Sequence, residues 1–318
     1  MALAGTETGS ASSPPVNTAL VVAALLAVYF IWGSTYFAMR IAMDALPPFL
    51  MCGVRFVVAG AGLLVFLRWR GMPLPTLAQW GSSAIVGTLL LVCGNGLVAV
   101  AERTVDSGVA ATVVATMPLW MAAIGAAIGE RITIREWLGL AIGFAGVAVL
   151  NRAGTLALGS IDTLAILVAP IAWAVGSVWS RRLSLTPKLM GTAAQMLSGG
   201  VILLLLAAVT GERMSEAPSI KALAALAYLI VFGSLIAFSA YGFLLRNTRS
   251  TIASSYAYVN AVVALAIGSL LGSEPFTAYK LVACALTVVG VAIAMRPHKP
   301  APLPAPSTGV GSLPSRSS

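Results

Sequence analysis

The two halves of this chain repeat one another in sequence. The segment PLWMAAIGAAIGERIT, which begins at Pro118, recurs as AVVALAIGSLLGSEPFT, which begins at Ala261. Both copies carry Gly-x-x-x-Gly within two residues of a glutamate that follows it, Glu130 in the first half and Glu274 in the second. Each half also contains an odd number of long apolar stretches, so the second half must cross a membrane in the opposite direction to the first. Inverted repeats of this kind are typical of secondary transporters.

The composition places the chain in a lipid bilayer. Hydrophobic residues make up 59% of the sequence and charged residues 9%, and the mean hydropathy is +0.95. A membrane-spanning helix needs about 20 apolar residues, and we count ten continuous stretches of about this size, whereas the strands of a barrel would alternate in polarity. The sequence therefore predicts an all-α membrane protein with ten transmembrane helices in two inverted five-helix repeats.

The predicted domain organisation follows from the limits of the apolar stretches. Residues 1–17 form a short segment that contains Ser, Thr and Pro without Lys or Arg, and we predict that it is disordered. Residues 18–152 form the first five-helix repeat and residues 160–296 the second. Residues 297–318 are rich in Pro and Ser, and we predict a disordered tail because such a segment has little to pack.

The net charge of +9 indicates an orientation in the membrane rather than a nucleic-acid partner. Basic residues are scattered singly at the ends of the apolar stretches and do not form one patch. Most of them fall in the even-numbered turns and the tail, as Arg68, Arg182 and Lys299 do. The positive-inside rule therefore predicts cytoplasmic N- and C-termini.

The sequence offers no obvious metal, cofactor or catalytic site. The single histidine, His298, lies in the tail, and the three cysteines, Cys52, Cys93 and Cys284, lie in or at the start of apolar stretches without paired spacing. We therefore expect no metal, no cofactor and no catalytic residues. The expected partners are the bilayer and a small-molecule substrate; the oligomeric state is open, and a monomer is compatible with the sequence.

Three tryptophans lie close to mid-membrane, away from the interfaces where this residue is common. At 1.5 Å per residue, Trp32, Trp120 and Trp173 are roughly 15 to 20 Å from the start of their helices. Tyr36 follows Trp32 by one helical turn, and Ser177 follows Trp173 in the same way. Two such stripes in inverted helices can face one cavity, although filling gaps between helices is the simpler role for any single ring.

Polar residues in the third, eighth and ninth helices complete the candidate site. Asn95 and Ser239 are separated by the same interval as the two repeated glutamates. Buried amides and hydroxyls need partners, which are either a substrate or a neighbouring helix. The candidate substrate-binding residues are Trp32, Tyr36, Asn95, Trp120, Trp173, Ser177, Ser239, Tyr256, Tyr258 and Asn260.

Arg55 lies about six residues inside the second apolar stretch. An arginine in hydrocarbon is costly unless it snorkels or finds a partner. We favour a structural role in bonding helix ends, and attraction of a substrate carboxylate is the alternative.

Several segments together resemble a known transporter family. They are WGSTYFAMRIA from Trp32, VRF from Val54, GERIT from Gly129, SSYAYVNAVVA from Ser254, and the two GVA-containing helices. In order and spacing they resemble the ten-span EamA-type exporters of the drug/metabolite transporter superfamily. The resemblance implies a bacterial inner-membrane carrier that exports amino acids, aromatic ones among them, or other metabolites or drugs.

One position departs from that family pattern. Ala261 stands where the family often has a proline after the asparagine of the ninth helix, whereas Pro118 is present at the equivalent place in the fourth. We therefore expect a proline-dependent kink in the fourth helix but not in the ninth.

Two other functions compete with a carrier. A channel can be built from scattered polar residues, but no charged ring or repeated filter loop is visible. An intramembrane lipid or prenyl transferase would need clustered carboxylates or a His or Cys centre. Because the carboxylates fall at helix ends, the sequence favours alternating access without a proton-relay carboxylate buried in the bundle.

Overall fold

The computed structural model describes residues 18–129, 133–152, 156–157, 159–180, 182–187, 189–214, 216–248 and 255–294. The predicted disordered segments, 1–17 and 297–318, lie outside these ranges. The described part is helical and contains no strand. Its helices are α1 (Thr18–Ala42), α2 (Pro48–Trp69), α3 (Leu77–Ala101), α4 (Ser107–Ala127), α5 (Ile134–Arg152), α6 (Ile161–Ser180), α7 (Leu189–Val209), α8 (Ile220–Leu244, helical to Asn247), α9 (Tyr256–Leu271) and α10 (Ala278–Ala294).

Seven of these described helices are long and apolar enough to cross a membrane: α1 to α4 and α6 to α8. The apolar parts of the other three are shorter, Trp137–Leu150 in α5, Val259–Leu271 in α9 and Ala278–Ile293 in α10. The all-helical membrane class is therefore confirmed. For α5, α9 and α10, a full crossing of the membrane stays a prediction.

Helices of each half of the chain pack against helices of the other half. α1 of the first half packs against α8 and α9, and α6 of the second half packs against α3 and α4. α2 packs on α7, and α5 on α10, which joins equivalent helices of the two halves. The core of the molecule therefore lies between the halves, where α1 and α6 meet the ends of α3, α4, α8 and α9.

Departures from regular α-helix occur at equivalent places in the two halves. α3 is π-helical over Thr88–Gly96, and α8 over Leu229–Ile236. π-Helical turns expose backbone groups and are frequent at functional sites. Both segments face the region between the halves.

The expected difference between the fourth and ninth helices is present. α4 consists of Ser107–Val114 and Met117–Ala127, which are separated by a turn at residues 115–116, two residues before Pro118. α9 is a continuous helix through Ala261. The break follows from proline chemistry, because Pro118 has no N–H to donate and its ring clashes with the preceding turn.

Close helix packing occurs at glycines, although not at every repeated motif. A Cβ at Gly290 of α10 would lie 2.5 Å from the Gly143 nitrogen of α5, and a Cβ at Gly146 would lie 2.6 Å from Thr287 Oγ1. These glycines let α5 and α10 touch through their backbones. By contrast, Gly268 makes room for the Glu274 carboxylate, which a Cβ would approach to 2.6 Å.

Candidate functional site

A small cavity lies at the centre of the bundle, between the two halves. Its volume is about 40 Å³. The residues that line it come from α1, α3, α4, α6 and α9: Trp32, Thr35, Tyr36, Met39, Asn95, Val98, Val114, Trp173, Tyr256 and Asn260. Six of the ten residues singled out in the sequence are thus brought to one cavity.

The other four candidates lie elsewhere or cannot be placed. Trp120 packs on Phe144 with 5.1 Å between ring centroids, and Ser177 lines a second cavity. Ser239 is partly buried on α8 but does not line the central cavity. The side chain of Tyr258 lies outside the described part of the structure. Contact with a substrate stays a prediction for all ten residues.

Five aromatic rings converge at one edge of the central cavity. Trp32 contacts Trp173, Phe238, Tyr241 and Tyr256, with ring centroids 4.9 to 5.9 Å away. The contacts are edge-to-face or tilted, the arrangements that the charge distribution of aromatic rings favours. We call these five residues the aromatic cluster. The sequence analysis did not identify Phe238 and Tyr241 as candidates. Their positions close to Ser239 on α8 were the signal that could have identified them.

The two repeat-related tryptophans differ in their hydrogen bonds. Trp32 Nε1 donates to the Gly233 carbonyl oxygen at 3.1 Å. This carbonyl lies in the π-helical segment of α8. Trp173 Nε1 is buried and finds no acceptor among the described residues, and the same is true of the Ser177 hydroxyl one turn further along α6. Trp173 therefore presents an unused donor at the cavity wall.

The amides of the cavity are held by backbone carbonyls. Asn95 Nδ2 donates to the Leu90 carbonyl oxygen at 3.4 Å, within the π-helical segment of α3. With its amide turned so that donor faces acceptor, Asn260 bonds the carbonyl oxygens of Tyr29 at 2.9 Å and Tyr256 at 3.1 Å. Asn260 therefore joins α1 to α9, which is the helix-to-helix role considered for it in the sequence.

A larger cavity lies on the far side of the aromatic cluster. It has a volume of about 310 Å³, and its lining includes Ser177, Thr186, Gln195, Phe238 and Tyr241. Phe238 and Tyr241 thus form a wall of this cavity while their rings touch Trp32, which lines the central one. The aromatic cluster therefore separates the two cavities. The larger cavity lies at the end of the bundle that contains the turn between α6 and α7.

The opposite end of the bundle is closed by an ionic network. Arg40 Nη1 at the end of α1 lies 2.7 Å from Glu274 Oε1 and 3.4 Å from Asp106 Oδ1. Lys280 Nζ of α10 lies 2.5 Å from Asp106 Oδ2. Glu274 Oε1 also accepts from the backbone N–H of Ser107 at 2.9 Å and its hydroxyl at 2.7 Å. We call these five residues the ionic network; it ties α1, α4, the turn after α9, and α10 together.

Glu102 is a buried acid beside this network. It directly follows α3, as the sequence indicated, yet it is only 2% exposed. Neither carboxylate oxygen has a hydrogen-bond partner among the described residues. Burial, and then the charge of Glu274, raise the pKa of Glu102 well above its usual range, while Arg40 acts in the opposite direction. A position at a helix end therefore does not mean exposure to water.

Arg55 is fully enclosed rather than snorkelling. It is 1% exposed, its Nε donates to Ser234 Oγ at 2.8 Å, and its guanidinium lies 4.8 Å from the Phe56 ring centroid. Its Nη1 is 3.7 Å from the sulfur of Met39, a residue of the central cavity wall. Arg55 thus bonds α2 to the π-helical segment of α8, and places a positive charge directly behind the cavity.

Both halves of the chain match a known transporter family. The EamA-like transporter family matches the chain twice, over residues 19–152 and 161–296. The chain belongs to this family. Its two matches correspond to the duplicated halves, and the exporter-superfamily resemblance in the sequence is thereby confirmed.

Similar proteins are transporters by name. The chain is 44% identical over 271 residues to YedA of Escherichia coli K12, an uncharacterized inner membrane transporter, covering 85% of this chain and 89% of YedA. It is 27% identical to an uncharacterized transporter of Synechocystis, covering 84% and 87% of the two chains. A solved crystal structure aligns with a TM-score of 0.63 at 23% identity, over 87% of this chain and 96% of the other, and so supports the fold alone. The protein is therefore a membrane transporter of the EamA-like family.

Proposed function

We propose that this protein is an inner-membrane carrier that exports small amphipathic metabolites, above all amino acids, including aromatic ones, by alternating access. The central cavity carries the proposal, because it has a separate closure towards each end of the bundle. The ionic network lies on one side and the aromatic cluster on the other. A carrier needs one central site that two closures expose in turn.

The chemistry of the cavity suits a zwitterion with an apolar or aromatic side chain. The unused N–H of Trp173 can donate to a carboxylate, and the buried charge of Arg55 behind Met39 favours the same group. The faces of aromatic rings attract an ammonium group and pack on apolar side chains. The resemblance of the chain to amino-acid exporters points to the same substrate class.

The small size of the central cavity indicates that this conformation does not hold the substrate. Binding sites for small molecules usually measure about 300 to 1,000 Å³, and the central cavity has only about 40 Å³. An amino acid therefore fits once the aromatic cluster moves apart and joins this space to the cavity of about 310 Å³. With cytoplasmic termini, that larger cavity opens to the cytoplasm and the ionic network closes the periplasmic side.

Counterflow in reconstituted vesicles tests the proposal. The full-length protein is reconstituted, the vesicles are loaded with one unlabelled amino acid, and uptake of radiolabelled L-phenylalanine is measured. A carrier gives saturable uptake that internal L-phenylalanine or another substrate accelerates. Flux that rises linearly with concentration and shows no acceleration would indicate a channel, and no flux for any amino acid tested would reject the substrate class.

Trp173 provides the matched test of the site. Trp173→Phe removes the unused N–H but keeps an aromatic ring, so we expect a higher half-saturation concentration for L-phenylalanine with the protein still folded. Trp179→Phe is the control, because Trp179 lies on the same helix but is 49% exposed on the bundle surface. Equal transport by both variants would assign Trp173 to packing alone.

A further inference from the structure

Glu102 is a buried titratable group that the alternating-access cycle described above does not use. Its carboxylate is enclosed at 2% exposure and has no hydrogen-bond partner within the described residues. An unpaired carboxylate in a low-dielectric interior costs several kcal/mol in its charged form. Burial without a partner therefore favours the protonated, neutral form of Glu102 in this conformation.

Glu102 lies between the central cavity and the ionic network. Val98, one helical turn earlier in α3, lines the cavity. On α1, Tyr36 lines the cavity, and Arg40, one turn further, belongs to the ionic network. The charges of Glu274 and Arg40 shift the pKa of Glu102 in opposite directions, and an ionised Glu102 would interact with Tyr36. The acid is thus within electrostatic reach of both the site and the closure.

The groups around Glu102 explain why it has no ionic partner within the described part of the chain. Arg40, the cation whose charge acts on it, is already engaged at 2.7 Å by Glu274. Glu274 is itself fixed by two hydrogen bonds from Ser107. The titratable groups that interact electrostatically with Glu102 are Tyr36 and Arg40 of α1, Cys52 of α2 and Glu274 after α9. The neighbouring cation, Arg103, is engaged by Asp162 of α6 at 2.7 Å.

We propose that Glu102 is the proton-binding site of this transporter and couples closure of the ionic-network end to the uptake of one proton. When that end is open, water reaches the carboxylate and a proton from that side binds to one of its oxygens. The ionic network then closes over a neutral acid. When the aromatic cluster opens, the proton leaves the same oxygen through the central cavity towards the other side.

This coupling rests on the proposed carrier function and replaces the expectation that the cycle needs no buried carboxylate. It makes the protein an exchanger in which a proton enters as the substrate leaves. Because one proton is bound, the ratio of closed to open conformations changes by at most about tenfold per pH unit. Acidic pH favours the closed network and alkaline pH favours the open one.

A substrate-free distance measurement tests the proposal on the full-length protein in lipid nanodiscs. The native cysteines are replaced, and spin labels are placed at Asp44 and Phe276, two exposed positions in turns at the network end. Pulsed EPR then gives the populations of short and long distances from pH 5 to pH 9. We expect the long-distance population to grow as the pH rises.

Variants separate Glu102 from other acids. Glu102→Gln mimics the protonated acid, so the short distance should dominate at every pH. If the glutamine variant does not fold, Glu102→Met, which is also uncharged, should give the same result. Glu216→Gln is the matched control, since this acid is exposed at the same end, and it should follow the unmodified protein.

Two results would overturn the proposal: distances that do not respond to pH in the unmodified protein, or an unchanged pH response in Glu102→Gln. Because the measurement needs no substrate, its failure leaves the counterflow test of the carrier untouched. Conversely, absence of amino-acid counterflow would not alter the distances. The two hypotheses can therefore fail separately.

Discussion

Removing the charge of Glu274 should open the network end of the bundle. Its carboxylate is 2% exposed, lies 2.7 Å from Arg40 Nη1, and accepts two hydrogen bonds from Ser107. In Glu274→Gln the amide oxygen can still accept from Ser107, but these bonds weaken because a charged acceptor is worth about 1.5 to 3 kcal/mol and a neutral one about 1 kcal/mol.

The loss can be estimated from these contacts. Two weakened hydrogen bonds amount to about 1 to 4 kcal/mol. The lost ion pair adds up to about 1 kcal/mol, because Arg40 is partly exposed and water screens the interaction. The total of about 1 to 5 kcal/mol corresponds to roughly a 5- to 4,000-fold change in the ratio of closed to open conformations, since 1.4 kcal/mol is tenfold.

Accessibility of an introduced cysteine measures this change. Val105→Cys places a thiol in the closed turn between α3 and α4, where Val105 is 3% exposed. In a background without native cysteines, a charged thiol reagent should modify this position much faster in Glu274→Gln than in the parent, and Glu216→Gln should match the parent. Equal modification rates in all three would refute the role of the ionic network as a closure.

Three further predictions concern the cluster, the helix contacts and the pH response. Trp32→Ala removes four aromatic contacts and should lower the free energy of unfolding by about 3 to 5 kcal/mol, whereas Trp32→Phe should fold and alter substrate preference in the counterflow assay. Gly146→Ala should destabilise the protein by about 1 to 3 kcal/mol, because its Cβ would lie 2.6 Å from Thr287 Oγ1; Gly62→Ala, where no atom lies within 4 Å, should not, and thermal unfolding in detergent compares them. Since the pKa of Glu102 is raised in the folded state, its contribution to stability is present below the usual carboxyl range and is lost as the pH rises; the unfolding temperature should therefore fall between pH 5 and pH 8 by less in Glu102→Gln than in the unmodified protein.

Much of the candidate site follows from helical spacing and the repeat. Trp32 and Tyr36 were placed on one stripe by their four-residue separation, and Trp173 and Asn95 were found from their places in the duplicated halves. All four line the central cavity. Phe238 and Tyr241 were missed, because a ring in an apolar helix has the same sequence signature whether it faces lipid or core.

The sequence alone determined the class of the protein. Continuous apolar stretches with few charges can only form membrane helices, because backbone groups in lipid must bond within their own helix. The repeated motifs likewise determined the duplication, and Pro118 determined the break in α4. These properties depend on neighbours along the chain.

Only the tertiary structure determined which charged groups contact one another and which of them are buried. Arg40, Asp106, Glu274 and Lys280 come from four separate segments, and nothing in their spacing shows that they meet. Glu102 directly follows a helix, as many exposed acids do, yet it is buried and has no hydrogen-bond partner among the described residues. α6 packs against this end of α3, and Arg40 and Arg103 are paired with Glu274 and Asp162. Burial and partnership depend on segments far apart in sequence, and an electrostatic energy is set by those distances and by the exclusion of water.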